Sequence, residues 1–367
     1  MTSPPRGLER ALDDAEVAAL LVGPGADLRY LTGYLALPLE RLTLLVARAD
    51  GRHTLVVPTL ERARAEAAGL DERVALVDVG ETDDPFAVVS DALGAAGLGR
   101  LAVGDRLWAS FLLGLQAALP HASWLRASTI TRELRMRKRP DELEALRRAG
   151  AAIDRVHARV PGFLRPGRTE AEVGRDIADA ILDEGHEHVA FVIVASGPNG
   201  ASPHHETSDR VLEVGDPVVV DIGGVLDGYG SDCTRNYLLG PLRDAPAGYE
   251  EAHAALEAAQ RAAVDAVRPG VTAEAVDAAA RDVLTDAGYG EAFIHRTGHG
   301  IGLEEHEEPY IVAGNELVLE EGMTFSIEPG VYLPERFGQR IEDIVAVTGD
   351  GVERLNTGGR AVAVVEI

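Results

Sequence analysis

The chain has a single cysteine, Cys233, among its 367 residues. One thiol forms no internal disulfide and excludes a zinc site built from several thiolates. Lysine and arginine total 35 against 60 aspartates and glutamates, which gives a formal net charge of −25. An electrostatic field of that sign repels nucleic-acid phosphates and anionic lipid surfaces. The sequence therefore predicts neither nucleic acid nor a membrane surface as a partner.

The chain also lacks an apolar run near the length of a membrane span, and it lacks a basic and then apolar signal at its start. We therefore expect a cytoplasmic protein. Its hydrophobic content of 46% and charged content of 26% are ordinary for a folded globular protein. A length of 367 residues suffices for about two domains, each with its own core.

Residues 1–130 alternate short apolar runs with helical stretches, which predicts an α/β domain. The expected strands are Leu42–Ala47, Thr54–Val57, Val74–Val77 and Leu101–Val103. The expected helices are Leu8–Leu20, Leu60–Ala68, Phe86–Ala96 and Ser110–Leu119. Three polar residues in a turn-rich stretch, Asp27, Arg29 and Tyr34, are expected to face solvent, and the sequence indicates no catalytic group in this domain.

A basic segment, residues 131–140, interrupts this acidic chain. It ends in Pro140, and the acidic residues Asp141 and Glu142 after the proline favour a helix start there. We therefore expect a linker at 131–140 and a second domain at 141–367.

Two segments of the second domain resemble each other. Pro166–Val173 and Pro269–Val276 share Pro, Gly, Thr and Val at an offset of 103 residues, and the same offset relates Gly185 to Gly288. Each copy reads as a Thr-capped helix that ends before a glycine. The repeat predicts a duplicated half-domain with pseudo-twofold symmetry and a site between its halves, although two unrelated capped helices could also look alike.

The stretch 293–309 contains three of the 11 histidines, His295, His299 and His306. They are interleaved with three glycines, Gly298, Gly300 and Gly302. Glycines combined with imidazoles are typical of a segment that brings the backbone close to a ligand or metal. The alternative is a polar surface loop.

Three carboxylates, Asp221, Glu328 and Glu342, lie in apolar, strand-like surroundings, where a charge is costly unless it is paired or bound to a metal. A fourth, Asp232, lies in the expected return strand 229–237. If residues 225–228 form a hairpin turn, Asp232 directly faces Asp221, and a bridging cation would offset the repulsion between them. An exposed acidic hairpin is the alternative. With one histidine added, these oxygen donors favour two Mn²⁺-like or Co²⁺-like ions over structural zinc. Such a pair can polarise a carbonyl and supply a bridging hydroxide, as peptide hydrolysis requires.

The set Asp221, Asp232, His299, Glu328 and Glu342, with spacings of 11, 67, 29 and 14, resembles that of the pita-bread dinuclear metallopeptidases. The resemblance covers the second domain and implies two divalent ions per subunit, with Mn²⁺ expected and Co²⁺ or Zn²⁺ as alternatives. It also implies that Asp221 binds one ion, that Asp232 and Glu342 bridge both, and that His299 and Glu328 complete the coordination. Glu328 would in addition accept a proton from the attacking water and pass it to the leaving nitrogen.

The resemblance assigns further roles. His204, which lies 17 residues before Asp221, would contact the substrate or its leaving nitrogen, and His306 would donate to the scissile carbonyl. His295 would line the pocket, and Arg340 would pair with a ligand carboxylate or with the substrate. The sequence leaves open whether His205 shares the role given to His204.

Within this family, an N-terminal domain of this length is similar to the creatinase-like domain of prolidases and aminopeptidases P. The implied fold is an α/β creatinase-like domain followed by an α+β pita-bread domain with internal pseudo-twofold duplication. The implied function is an Xaa-Pro dipeptidase, a homodimer that acts through a metal-bridging hydroxide on small peptides with proline at the second position. The alternatives are an Xaa-Pro aminopeptidase on longer peptides, a related dinuclear amide hydrolase, and a non-catalytic pita-bread binding module.

Overall fold

The structure, a computed structural model, describes residues 7–70 and 72–367. The chain divides into two compact units, Met1–Arg135 and Met136–Ile367. Residues 131–140, expected to be a linker, contain the end of one helix and the start of the next, and only residues 137–139 lie between them. No helix within the described ranges combines the length and apolarity needed to span a bilayer.

The first unit is built on one mixed sheet. Its strands are β1 (Ala19–Val22), β2 (Leu44–Arg48), β3 (His53–Pro58), β4 (Val74–Val79), β5 (Arg100–Val103) and β6 (Ser123–Arg126). They lie in the order β4-β3-β2-β1-β5-β6, and β2 runs antiparallel to both of its neighbours. The helices are α1 (Leu8–Asp14), α2 (Ala26–Thr32), α3 (Arg62–Ala67), α4 (Pro85–Leu93), α5 (Ala109–Ala118) and α6 (Ser128–Met136). The α/β prediction for this region is confirmed.

Two expectations for the first unit are wrong. Leu8–Leu20 is not one helix, because α1 ends at Asp14, Glu16 adopts a positive φ of 54°, and the following apolar run forms the buried strand β1. A strand buried on both faces reads as a continuous apolar run, which periodicity does not separate from a helix. Asp27 is not simply solvent-facing either, since it accepts hydrogen bonds from Thr131 and Arg135, and Tyr34 is buried.

The second unit combines two sheets, a hairpin and four helices. The helices are α7 (Pro140–Phe163), α8 (Glu170–Asp183), α9 (Tyr249–Ala266) and α10 (Ala273–Asp286). One sheet contains β7 (His188–Ser196), β8 (Pro217–Leu226), β9 (Tyr229–Leu239) and β17 (Ala363–Val365). The other contains β10 (Gly298–Gly300), β11 (Glu307–Ile311), β12 (Thr324–Ile327), β15 (Asp343–Val347) and β16 (Val352–Arg354). The strands β13 (Gly330–Leu333) and β14 (Phe337–Arg340) form the hairpin.

The internal duplication is visible in the helices. Helix α8 begins at residue 170 and α10 at residue 273, and they end at 183 and 286, so both ends keep the offset of 103 residues seen in the sequence. Thr169 and Thr272 occupy the two N-cap positions, but in the described structure only Thr169 accepts the side-chain capping bond, from the backbone of Glu172. Helices α7 and α8 cover the first sheet, while α9 and α10 pack on the core of the second. The predicted pseudo-twofold arrangement is confirmed.

Candidate metal centre

The hairpin β8–β9 carries two of the predicted ligands. Asp221 pairs with Thr234 and Asp232 pairs with Gly223, so the expectation that Asp221 directly faces Asp232 is wrong by two residues. The reason is the turn, which contains only Asp227 and Gly228, at φ values of 52° and 81°. An Asp-Gly pair with positive φ is typical of a two-residue hairpin turn. Because side chains alternate with a period of two, the shift leaves both aspartates on the same face of the sheet.

The five predicted ligand residues all line one cavity of about 1030 Å³ in the second unit. Asp232, His299 and Glu342 each offer a ligand atom within 4.8 Å of the others. Nε2 of His299 lies 3.3 Å from Oε1 of Glu328 and 3.5 Å from Oδ2 of Asp232. Asp221 lies at the edge of the cluster, where it pairs with Arg340.

The carboxylates of this cluster fit a site for divalent cations. Oδ1 of Asp221 and Oδ1 of Asp232 are buried and have no hydrogen-bond partner among the described residues. Burial, followed by the charges of Asp221 and Glu328, raises the pKa of Asp232 well above its usual value. The pKa of Glu342 is also raised well above its usual value, by burial first and by Asp232 next. Two divalent ions would satisfy the orphaned oxygens and offset this repulsion.

Glu328 differs from the other two carboxylates. Burial raises its pKa, but the neighbouring His299, His295 and Arg340 outweigh burial and lower it below the usual value. Oε1 of Glu328 also accepts a hydrogen bond of 3.0 Å from the hydroxyl of Ser326. Glu328 is therefore held in the ionised form that a proton acceptor requires.

The backbone around His299 fixes the direction of its ring. Nδ1 donates to the carbonyl of Gly300 at 3.1 Å, which turns Nε2 toward the carboxylates, the direction that a metal ligand would need. A Cβ at Gly298 would lie 1.8 Å from the carbonyl oxygen of Ser326, and one at Gly300 would lie 2.3 Å from that of Glu308. The glycines thus allow the backbone to pass close to its neighbours, as the sequence suggested.

Arg340 links the cluster to a chain of hydroxyl groups. Its Nη2 donates to Oδ2 of Asp221 at 2.5 Å, its Nη1 to the hydroxyl of Tyr332 at 2.8 Å and its Nε to Oγ1 of Thr234 at 3.1 Å. Thr234 in turn donates to Oε2 of Glu342 at 2.7 Å. Of the two partners expected for Arg340, a ligand carboxylate or the substrate, the structure supplies the carboxylate.

Four histidines outside the ligand set line the cavity, namely His204, His205, His295 and His306, and they differ in how they are held. His295 is half-buried, with Nδ1 at 2.7 Å from the carbonyl of Arg296 and Nε2 at 2.9 Å from the hydroxyl of Tyr332. Burial lowers its pKa. His306 and His204 are exposed to the cavity, and the ring of His306 lies 3.8 Å from that of His299 between centroids.

The structure separates His204 from its neighbour. Nε2 of His205 lies 2.7 Å from Oε2 of Glu170, a fully buried residue of helix α8. Glu170 also accepts from Ser196 and Ser208, so it fixes both ends of the loop that carries the two histidines. Both histidines line the cavity, but the ring of His205 is held by Glu170 and anchors this loop, whereas His204 is the more exposed of the two.

Four residues that the sequence analysis missed complete the site. Tyr332, Thr234 and Ser326 supply hydroxyl groups to the ligands or to Arg340, and Arg296 brings a second guanidinium to the cavity wall. The three hydroxyl residues lie in strands, and nothing in the local sequence distinguishes them from other polar strand residues. Arg296 stands next to His295, and that adjacency is the one sequence signal that could have indicated it.

The chain matches known proteins along nearly all of its length. Residues 144–349 match the family model of metallopeptidase family M24, and residues 6–137 match that of the creatinase/prolidase N-terminal domain. The probable dipeptidase PepE of Mycobacterium tuberculosis is 56% identical over 350 residues, which cover 94% of this chain and 92% of that protein. The Xaa-Pro dipeptidase of Lactobacillus helveticus is 35% identical over 356 residues, covering 94% of each chain. The crystal structure of dipeptidase PepE from Mycobacterium ulcerans aligns with a TM-score of 0.93 at 55% identity, covering 98% of this chain and 96% of that one.

Proposed function

Because the chain belongs to metallopeptidase family M24, we propose that this peptidase is an Xaa-Pro dipeptidase, which hydrolyses the bond before the proline of a dipeptide. The observation that carries the proposal is the convergence of five ligand residues on one cavity, with buried oxygens of Asp221 and Asp232 that lack partners among the described residues. A non-catalytic binding module would be expected to have lost such residues.

The proposed ligands of two divalent ions are Asp221, Asp232, His299, Glu328 and Glu342. When bound, the ions would supply the Lewis acidity that activates a water molecule and the scissile carbonyl. Manganese is proposed because four of the five ligands are carboxylates. A homodimeric state and a cytoplasmic location rest on the family resemblance and on the composition of the chain.

The protein's own groups would carry the proton transfers. Glu328 accepts a proton from the attacking water and passes it to the leaving nitrogen. His306, exposed beside His299, donates to the carbonyl oxygen as negative charge develops on it. His204, on the loop held by Glu170, contacts the substrate near the leaving nitrogen. His295 and Arg340, linked through Tyr332, form the wall that orients the substrate.

Two features of the cavity support a proline dipeptide as the substrate. Apolar side chains at Phe191, Ile193 and Ile294 line it and offer a surface for a pyrrolidine ring. The guanidinium of Arg296 also lines it, 4.4 Å above the ring of Tyr310, and can pair with the carboxylate that a dipeptide carries beside the cleaved bond. A longer peptide has a neutral amide at that place.

The proposal is tested with a panel of substrates in Mn²⁺. The panel contains Xaa-Pro dipeptides, Xaa-Pro tripeptides and Xaa-Ala dipeptides, and we expect kcat/KM to be highest for the Xaa-Pro dipeptides. Faster cleavage of the tripeptides would identify an Xaa-Pro aminopeptidase, and equal cleavage of Xaa-Ala would identify a general dipeptidase. Hydrolysis of none of them would point to a related dinuclear amide hydrolase.

A further inference from the structure

The chain contains one lysine, Lys138, while all the other residues among its 35 basic side chains are arginines. This lysine is buried, with 1% of its side chain exposed, and its Nζ lies 2.6 Å from Oε1 of Glu307, whose side chain is 7% exposed. Burying an ion pair removes two charges from water, which often costs as much as the attraction returns. The pair therefore calls for an explanation other than stability.

Glu307 lies directly after His306 in the chain. It is the first residue of strand β11 and pairs with Gly300 of strand β10, next to the ligand His299. Residues 301–306 form the connection between these two strands, so His306 is the last residue of that connection. An interaction that fixes the position of Glu307 therefore also restricts the position of the His306 imidazole.

The other end of the pair is fixed through the backbone. The N–H of Lys138 donates to the carbonyl of Gly322 at 2.8 Å, just before strand β12, which leads to Glu328. A Cβ at Gly322 would lie 2.8 Å from the carbonyl oxygen of Lys138, so the two segments are in close contact. Lys138 thus links the segment just before strand β12 to the end of the connection that carries His306.

The space around the ion pair is narrow. A Cβ at Gly302 would lie 2.6 Å from Oε1 of Glu307 and 3.0 Å from Cε of Lys138, so the pair packs directly against the backbone of the connection. An ammonium is compact and bonds as a point charge, whereas a guanidinium is a broad planar fork. This difference explains a lysine here in a chain that otherwise uses arginine.

We infer that Lys138 is a positioning residue for His306, which it holds beside the metal cluster through its ion pair with Glu307. The inference deepens the proposed function and rests on it, because that function gives His306 its contact with the scissile carbonyl. Lys138 itself does not line the cavity and would not touch the substrate.

The test is a double-mutant cycle between Lys138→Met and His306→Gln, measured as kcat and KM on an Xaa-Pro dipeptide. In the otherwise unchanged enzyme, we expect Lys138→Met to lower kcat about tenfold with little change in KM, as for a catalytic group moved by a fraction of an ångström. In the His306→Gln background the same substitution should lower kcat less than twofold, because the group that it positions is already absent. Equal losses in both backgrounds would overturn the inference.

Two further variants complete the kinetic test. Arg147→Met removes the ion pair between Arg147 of helix α7 and Glu353 of strand β16, neither of which lines the cavity, and should leave kcat unchanged. If Lys138→Met fails to fold, Glu307→Gln takes its place in the cycle. It should lower kcat in the otherwise unchanged enzyme but have little effect in the His306→Gln background, and equal losses in both backgrounds would again overturn the inference.

A second readout does not depend on activity. The single lysine of the folded enzyme should react slowly with an amine-acylating reagent, as followed by peptide mass spectrometry, and at least tenfold faster in Glu307→Gln. Rapid acylation of Lys138 in the unaltered protein would show that the pair opens freely and would overturn the inference. An unaltered enzyme that cleaves no Xaa-Pro dipeptide yet keeps Lys138 protected would instead count against the proposed function.

Discussion

The hydroxyl of Tyr332 lies 2.9 Å from Nε2 of His295. The same hydroxyl accepts a hydrogen bond from Arg340, which also pairs with Asp221. A continuous chain of polar contacts therefore runs from a proposed metal ligand to the cavity wall. Because Nδ1 of His295 donates to the carbonyl of Arg296, Nε2 is left to accept the proton of the tyrosine hydroxyl.

Tyr332→Phe should break this chain of polar contacts, while the phenyl ring still fills the space of the tyrosine ring. It leaves Nε2 of His295 without its donor and Nη1 of Arg340 without one of its acceptors, both in buried surroundings. We expect kcat/KM on an Xaa-Pro dipeptide to fall roughly tenfold to a hundredfold, as for a slight misplacement of groups around the reacting atoms. Steady-state kinetics and bound-metal analysis measure the effect. An unchanged kcat/KM would remove this chain from substrate orientation.

Glu328→Gln should abolish proton transfer and keep the fold. An amide of the same shape still accepts the hydrogen bond from Ser326, but it does not take up a proton at neutral pH. We expect kcat to fall about 10²–10⁴-fold, the usual contribution of a general base. Glu353→Gln, which affects a carboxylate paired with Arg147, is the matched control and should retain full activity. Comparable activity in both variants would contradict the role of Glu328.

Arg296→Met should weaken substrate binding, and it should do so only for substrates that carry a free C-terminal carboxylate. A hydrogen bond to a charged group contributes about 1.5–3 kcal/mol, so KM for a free Xaa-Pro dipeptide should rise about tenfold or more. KM for the same dipeptide with an amidated C-terminus should change little. The test measures KM for both substrates with the unaltered enzyme and with the variant. A parallel rise for both substrates would show that Arg296 does not bind the carboxylate.

His157 should make the stability of the second unit decrease as the pH falls. Burial, reinforced by Arg235, lowers the pKa of His157 from 6.5 to about 3, and its ring is held by the hydroxyl of Tyr237 and the carbonyl of Cys233. The unfolded chain takes up a proton below pH 6.5, whereas the folded protein does not do so until about pH 3. Stability contributed by the neutral ring is therefore present above pH 6.5 and is lost as the pH falls.

The size of this effect follows from the difference in pKa. Between pH 7.5 and pH 5, the free energy of unfolding should fall by about 2 kcal/mol through this residue alone. His157→Gln should remove that part of the pH dependence, even if it lowers stability at pH 7.5. Urea unfolding of both proteins in EDTA, at the two pH values, measures the difference. The same pH dependence in the variant would show that His157 does not titrate on unfolding as expected.

The sequence predicts the carboxylate cluster because charges inside apolar strands are unusual and therefore informative. Asp221 and Glu342 stand out for that reason alone. The hairpin register is predicted less well, because a four-residue turn at 225–228 places Asp232 opposite Asp221, whereas the turn needs only Asp227 and Gly228. An Asp-Gly pair is a strong signal for a two-residue turn, and a turn of that length pairs Asp221 with Thr234.

Other parts of the molecule lie beyond such reasoning. Strand β1 is buried on both faces, so its apolar run carries no alternation that would distinguish it from the end of helix α1. The hydroxyl of Tyr332 and the anchoring carboxylate of Glu170 act through contacts with residues that are distant in the chain. Local sequence contains no sign of such partners, and only the folded chain brings them together.

The duplicated architecture divides the proposed ligands between its halves. Asp221 and Asp232 belong to the half that contains helix α8, while His299, Glu328 and Glu342 follow helix α10. Neither half alone offers enough ligands for two ions, so tight binding would require the two halves to be docked. Metal affinity is then a thermodynamic measure of that docking, and substitutions at the contact between the halves should weaken metal binding even far from any ligand.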